Sequence, residues 1–148
     1  MTAIAGHKDT DKRIGASGPL FALSLLFAAG AQAEETLEQL MARGEAVYGA
    51  SCAACHQANG EGIAGAFPTL VGGSVTVGPI EEHMKIVLYG KPGTAMVGFG
   101  QQLSDADAAA LVTYERNAWG NDALLAEGAV KVVQPEDVAA YRNGNGGG

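Results

Sequence analysis

Cys52-Ala53-Ala54-Cys55-His56 decides how this chain is read. Two thiols three positions apart, followed directly by an imidazole, form the C-x-x-C-H signature of c-type haem attachment. Each thiol can add across one vinyl group of the porphyrin, and the histidine then stands as an axial ligand to the iron. These are the only 2 cysteines in the chain, so none is available for a disulfide elsewhere. Three plainer readings fit less well. A thioredoxin-like redox pair belongs with a βαβ pattern, and none surrounds this motif. Zinc needs four ligands; after Cys52, Cys55 and His56 only His83 is in view, at no familiar spacing. A disulfide between residues three apart is geometrically awkward and closes too short a loop to gain much.

The composition suits a chain built around a large apolar group. Hydrophobic residues make up 47% of the sequence but aromatic residues only 6%, and 22 positions are glycine. Such a chain has few large side chains with which to fill a core, and a buried porphyrin supplies the missing volume. The length of 148 residues allows one domain with appendages. A net charge of −7 argues against nucleic acid as a partner and directs electrostatic steering toward a basic surface.

Residues 1–33 read as a targeting segment. Lys8, Lys12 and Arg13 give a mildly positive start, diluted by Asp9 and Asp11, before the apolar run from Pro19 to Ala29. Ala31-Gln32-Ala33 then supplies the small-x-small pattern of signal-peptidase cleavage. The run is shorter than the roughly 20 apolar residues that span a bilayer, so a cleaved secretory signal is expected rather than an uncleaved anchor. From Glu34 onward 14 acidic and 6 basic residues remain, a net charge of −8.

Three helices are expected before the C-terminal stretch. The first starts at Thr36, with Gln39 as the reciprocal partner of a capping box. Leu37, Leu40, Met41, Gly44, Val47 and Tyr48 share its apolar face. Gly44 costs about 1 kcal/mol in mid-helix, and close crossing by another helix, at Leu111 or Tyr114, gives it a reason. Residues 59–79 break into glycines and read as a loop around one haem edge, with Ile63, Phe67, Leu70 and Val71 turned inward. Pro68 stands where its carbonyl can accept the second N–H of His56, which fixes the ring. The second helix spans Ile80–Tyr89, with Pro79 before it, Glu81 and Glu82 in its first turn and Gly90 after it. Ile80, Met84, Val87 and Leu88 form its stripe, and His83 reads as a solvated histidine. The third helix starts at Ser104 with Asp107 in its cap and runs to about Trp119. Ala108, Leu111, Val112 and Ala118 face inward, and Arg116 is either solvated or bonded to a haem propionate.

Met96 lies in Gly90-Lys91-Pro92-Gly93-Thr94-Ala95-Met96-Val97-Gly98-Phe99-Gly100, where glycine and proline forbid a helical period. A thioether held outside any helical stripe points to iron as its partner. Met41 and Met84 fall at helical spacing and read as packing. Beyond Asn121, Val130–Val133 reads as a short strand or a surface segment and Pro135–Tyr141 as a short helix. The end from Asn143 is expected to be disordered.

Taken together, Cys52-x-x-Cys55-His56, Pro68, Met96 and the capped last helix resemble a class I cytochrome c. From about Leu40 to Tyr141 the chain is similar to the cytochrome c domain of some bacterial cytochrome c oxidase subunit II proteins. The resemblance is carried by Gly44-Glu45-x-Val47-Tyr48, Cys52 to Gly60, Gly90 to Met96, Thr113-Tyr114-x-Arg116-Asn117-Ala118-Trp119-Gly120-Asn121, and Val133 to Val138. It implies an all-α fold, with three or more helices wrapped around one covalent haem c, and His56 and Met96 as iron ligands. It further implies a periplasmic one-electron carrier near a respiratory oxidase, with redox proteins as donor and acceptor. Contact with a membrane would come only through an uncleaved N-terminal segment or a membrane-bound partner. The membrane helices and the dinuclear-copper ligand set of that subunit have no counterpart here, so copper and oxygen chemistry are not implied. The expected organisation is a signal segment over 1–33, a cytochrome domain over 34–121 and an extension over 122–148. The rivals are a permanent haem c subunit of an oxidase or dehydrogenase, and a haem peroxidase or gas sensor with an open sixth position.

Overall fold

Thr36 opens helix α1 (Leu37–Ser51) as a complete capping box. The Gln39 backbone N–H donates to the Thr36 hydroxyl at 3.3 Å, and the Gln39 side-chain oxygen accepts from the Thr36 N–H at 2.9 Å. The computed structural model describes residues 34–145; residues 1–33, expected to be a targeting segment, and the last three glycines lie outside the described residues. Leu40, Gly44 and Tyr48 are buried along one face of α1, whereas Leu37, expected inward, is 46% exposed.

That face packs against α4 (Asp105–Asn117), the central helix, which is buried from Ala108 through Thr113. The crossing is as tight as Gly44 suggests. A methyl group there would overlap the Ala110 carbonyl oxygen and stand 2.5 Å from Tyr114 Cβ. The notch is therefore filled by Ala110 backbone and Tyr114, while Leu111 turns into the core. Gly44→Val forces the helices apart and is expected to cost about 1–3 kcal/mol, read as a lower midpoint in guanidinium. An unchanged midpoint would show that the crossing yields freely.

Ser104 caps α4, accepting from the Asp107 N–H at 3.1 Å and donating its hydroxyl to Asp107 Oδ2 at 2.7 Å. The helix stops at Asn117, short of the expected Trp119. A 3-10 segment, Ala118–Ala123, follows and is broken by positive φ at Trp119 and Gly120. The left-handed turn at Trp119 folds its indole back onto Tyr48 and Tyr114, at ring separations of 5.0 and 5.4 Å. The helix itself is ended by Ala118, whose backbone is extended at φ −73° and ψ 160°.

Helix α3 (Ile80–Tyr89) begins and ends where expected and buries Met84, Val87 and Leu88. Past the 3-10 segment, residues 130–134 form no strand. Thr113 holds them from α4: its hydroxyl accepts from the Val133 N–H at 2.9 Å and donates to the Val133 carbonyl at 3.3 Å. Helix α5 (Pro135–Asn145) packs on α4 with Val138 fully buried. It runs beyond Tyr141, so Asn143, Gly144 and Asn145 are helical where disorder was expected. The Asn145 amide donating to the Tyr141 carbonyl at 2.8 Å contributes to that last turn. Among the described residues there are only isolated β-bridges, so the architecture is all-α, and no helix is long and apolar enough to cross a membrane.

Candidate functional site

Cys52 closes α1 and opens α2 (Ala53–His56), a single turn. Its carbonyl accepts from the N–H groups of Cys55 at 3.1 Å and His56 at 2.9 Å. This tight turn brings both sulfurs and the imidazole into one short segment, with Cys52 buried and Cys55 exposed. The chain then turns sharply at Gln57, where φ is 62°, and the Tyr48 hydroxyl donates to the Gln57 carbonyl at 2.6 Å.

His56 Nδ1 lies 2.9 Å from the Pro68 carbonyl oxygen. A carbonyl only accepts, so Nδ1 carries the proton and Nε2 keeps the lone pair that a metal can take. Gly62 makes room for this contact: its φ is +70°, and a Cβ there would stand 2.5 Å from the same Pro68 oxygen. The loop is closed by Gly62 N–H to His56 carbonyl at 2.9 Å and Leu70 N–H to Gly60 carbonyl at 2.7 Å. Asn121 braces it from the 3-10 segment, accepting from the Gly72 N–H at 2.8 Å and donating to the Leu70 carbonyl at 3.1 Å. Neither Gly62 nor Asn121 stood out in the sequence as part of this site. A glycine six residues after the histidine was the available signal.

Met96 stands apart, half-buried on the loop after α3. Its carbonyl accepts from the Lys91 N–H at 2.9 Å, and its N–H donates to the Thr94 hydroxyl at 3.2 Å. The structure thus gathers Cys52, Cys55, His56 and Pro68 in one loop system and holds Met96 on a second. Ala64, Gly65, Ala66 and Ala95 are exposed. Ile63 is 43% exposed, on a turn closed by its pairing with Phe67.

Residues 39–114, just over half of the chain, match the family described as cytochrome C oxidase, cbb3-type, subunit III. The chain belongs to the cytochrome c family. It is 36% identical over 114 residues to cytochrome c-552 of Thermus thermophilus, covering 68% of this chain and 85% of that protein. It is also 44% identical over 93 residues to dihydro-heme d1 dehydrogenase of Pseudomonas aeruginosa, over 63% of this chain. A third relative is the cytochrome c subunit of the quinone alcohol dehydrogenase of Gluconobacter oxydans, 33% identical over 90 residues and 54% of this chain. The cytochrome spans only 17% and 19% of the length of those last two proteins. As a member of this family it carries haem c and transfers electrons. The donor set fits that cofactor: two thiols and a histidine whose Nδ1 proton is already engaged.

The Cys52 thiol is not one activated for disulfide exchange. Burial pushes the Cys52 thiol up to about 12, with the Glu115 carboxylate and Cys55 adding to the rise. A redox-active C-x-x-C needs the opposite, a thiol lowered below about 8.5.

Two other residues of the cytochrome differ from the sequence reading. His83 is not solvated but 2% exposed, its Nε2 2.7 Å from Glu115 Oε2. The signal was present, since His83 falls three residues after Ile80 and four before Val87, on the buried stripe. Arg116 is neither solvated nor free for a propionate. Fully buried, it donates from Nε to the Val130 carbonyl at 2.7 Å and from Nη1 to the carbonyls of Thr76 and Gly78 at 2.8 and 3.0 Å. Burial lowers its pKa, and Glu81 partly offsets that. One guanidinium therefore ties the segment before α3 to the segment before α5.

His83→Leu leaves Glu115 buried without its partner and is expected to cost about 3–5 kcal/mol. Removing both groups, as His83→Leu with Glu115→Met, should recover most of that loss. Guanidinium titration of the haem-loaded variants measures both. A double change as costly as His83→Leu and Glu115→Met added together would show that the pair is not coupled.

Proposed function

We propose that this cytochrome is a monohaem one-electron carrier joined to its haem by Cys52 and Cys55, with His56 and Met96 as iron ligands. The observation that carries this reading is the bond from His56 Nδ1 to the Pro68 carbonyl, which leaves Nε2 as the ligating nitrogen. When bound, haem c supplies the one-electron Fe(II)/Fe(III) couple. Pro68 fixes the plane of the imidazole. Met96 offers a soft thioether, which favours the reduced metal and so raises the potential. With His56 and Met96 both holding the iron, no position would be left open to a substrate. The small exposed residues Ala64, Gly65, Ala66 and Ala95 let a redox partner approach closely. Their lack of bulk suits a weak, short-lived encounter.

In this reading residues 1–33 direct export to the periplasm, residues 34–121 form the haem domain, and residues 122–148 are an extension. The donor and acceptor are redox proteins, with a terminal oxidase of the respiratory chain as the proposed acceptor. A second reading, a cytochrome held permanently in a dehydrogenase, draws support from the names of several relatives. These include the cytochrome subunits of gluconate 2-dehydrogenase of Pantoea cypripedii and of fructose dehydrogenase of Gluconobacter japonicus. Gel filtration separates the two: a free monomer supports the shuttle, and co-purification with a larger partner supports the subunit.

The ligand assignment is tested on the oxidised protein. Iron–thioether ligation gives a far-red charge-transfer band and slow uptake of cyanide. A missing band with rapid cyanide binding would point instead to an open sixth position, as in a peroxidase or gas sensor.

A further inference from the structure

We propose that Arg142, on the C-terminal helix α5, is a positioning residue that keeps the Met96 loop closed. The inference rests on Met96 being an iron ligand.

The loop joining α3 to α4 is weak on its own account. Gly90, Pro92, Gly93, Gly98 and Gly100 give it little local structure. Around Met96 it closes only on itself, through Lys91 N–H to the Met96 carbonyl and the Thr94 hydroxyl to the Lys91 carbonyl, at 2.9 and 2.7 Å. Its return leg is tied to the end of α3 by the N–H groups of Phe99 and Gly100, bonded to the Val87 and Leu88 carbonyls at 2.9 Å each. Those bonds leave the leg's own carbonyls to be satisfied.

Arg142 satisfies two of them. Its Nη1 donates to the Gly100 carbonyl at 2.6 Å and its Nη2 to the Leu103 carbonyl at 2.9 Å. Its Nε lies 2.7 Å from Asp105 Oδ1 on the first turn of α4, an ion pair set off the ideal N–H direction. One planar guanidinium thus spans the leg after Met96 and the start of the next helix. Hydrogen bonds from a charged donor are stronger than neutral ones, and a side chain 24% exposed is partly withdrawn from water. The fit at Gly100 is close on both sides: a Cβ there would stand 2.7 Å from the Leu88 oxygen and 3.3 Å from Arg142 Nη1.

The clamp is itself anchored. Val138, one turn before Arg142, is fully buried, and Tyr141 packs on Tyr89 at the end of α3 with rings 6.4 Å apart. At the far end of α5, Gln134 exchanges two hydrogen bonds with the Glu35 backbone, at 3.0 and 2.9 Å. The extension after the haem domain therefore braces the loop that carries the weaker axial ligand.

The test uses the haem-loaded ferric protein and added imidazole, which binds iron only when the Met96 loop opens. Apparent affinity then scales with the open fraction. Arg142→Ala is expected to bind imidazole about tenfold more tightly than wild type. Its far-red band should also disappear at a temperature well below that of helix melting. Arg142→Lys, which can keep a single carbonyl contact, should fall between the two. Asp105→Asn should shift in the same direction by less. Gln134→Ala, which loosens the other end of α5 without touching Arg142 or the loop, should lower overall stability and raise imidazole affinity far less than Arg142→Ala does.

Wild-type imidazole affinity in Arg142→Ala, with band loss that tracks helix melting, would overturn the inference. If Arg142→Ala does not accumulate, unchanged affinity in both Arg142→Lys and Asp105→Asn overturns it equally. A wild-type protein with no far-red band defeats the Met96 assignment itself, and the inference falls with it.

Discussion

Replacing Cys52 and Cys55 together by alanine leaves a chain with no covalent haem and no cooperative unfolding transition. The core explains why. Ala108, Ala109 and Ala110 occupy consecutive buried positions of the central helix, and the larger buried apolar residues are few. The apolar area these side chains remove from water is small for a domain that must also order long glycine-rich loops. A domain of this size is held by only about 5–15 kcal/mol, and the loss of the attached porphyrin should remove most of it. Far-UV circular dichroism against guanidinium measures the transition, and intact mass reports the attachment. A double variant that stays helical and unfolds cooperatively would refute the view that the cofactor completes the core.

Met96→Ala has the second largest expected effect, and it is of a different kind. The thioethers and His56 are untouched, so covalent haem and most of the fold survive. What changes is the potential. Axial ligation sets haem potentials over a range of about 0.8 V, and a thioether stands toward the high end. Its loss is expected to lower the potential by on the order of 0.1 V or more. Potentiometric titration reads this directly, alongside loss of the far-red band. An unchanged potential would mean that Met96 is not a ligand, and Met84, buried on α3, would become the residue to examine.

Much of the fold was legible because the signals were local. The Thr36–Gln39 capping box, the Pro79–Gly90 bounds of α3 and the Gly44 notch each follow from residues within a turn or two. What was not legible depends on long-range packing. His83 lay on the buried stripe of α3, so its burial was readable, but nothing near it or Arg116 in sequence announces Glu115, or the carbonyls of Thr76, Gly78 and Val130, as partners. The end of α4 falls at an extended Ala118, next to the edge-on contact of Trp119 with Tyr48, a residue on another helix. At the tail, Asn143 to Asn145 look disordered by composition, yet they extend a helix whose Arg142 is held by Gly100 and Leu103. In the site itself, the short C-x-x-C-H spacing was readable. The part played by Gly62 was not, since it depends on a carbonyl that only the folded loop brings near.

The central claim is one covalent haem held by Cys52 and Cys55, and the most direct measurement is a pyridine haemochrome spectrum paired with intact mass. A c-type spectrum and a mass exceeding the polypeptide by a single haem are the predicted result. A bare polypeptide mass after maturation in a host competent for thioether formation, or pigment that extracts into acidified acetone, would contradict it.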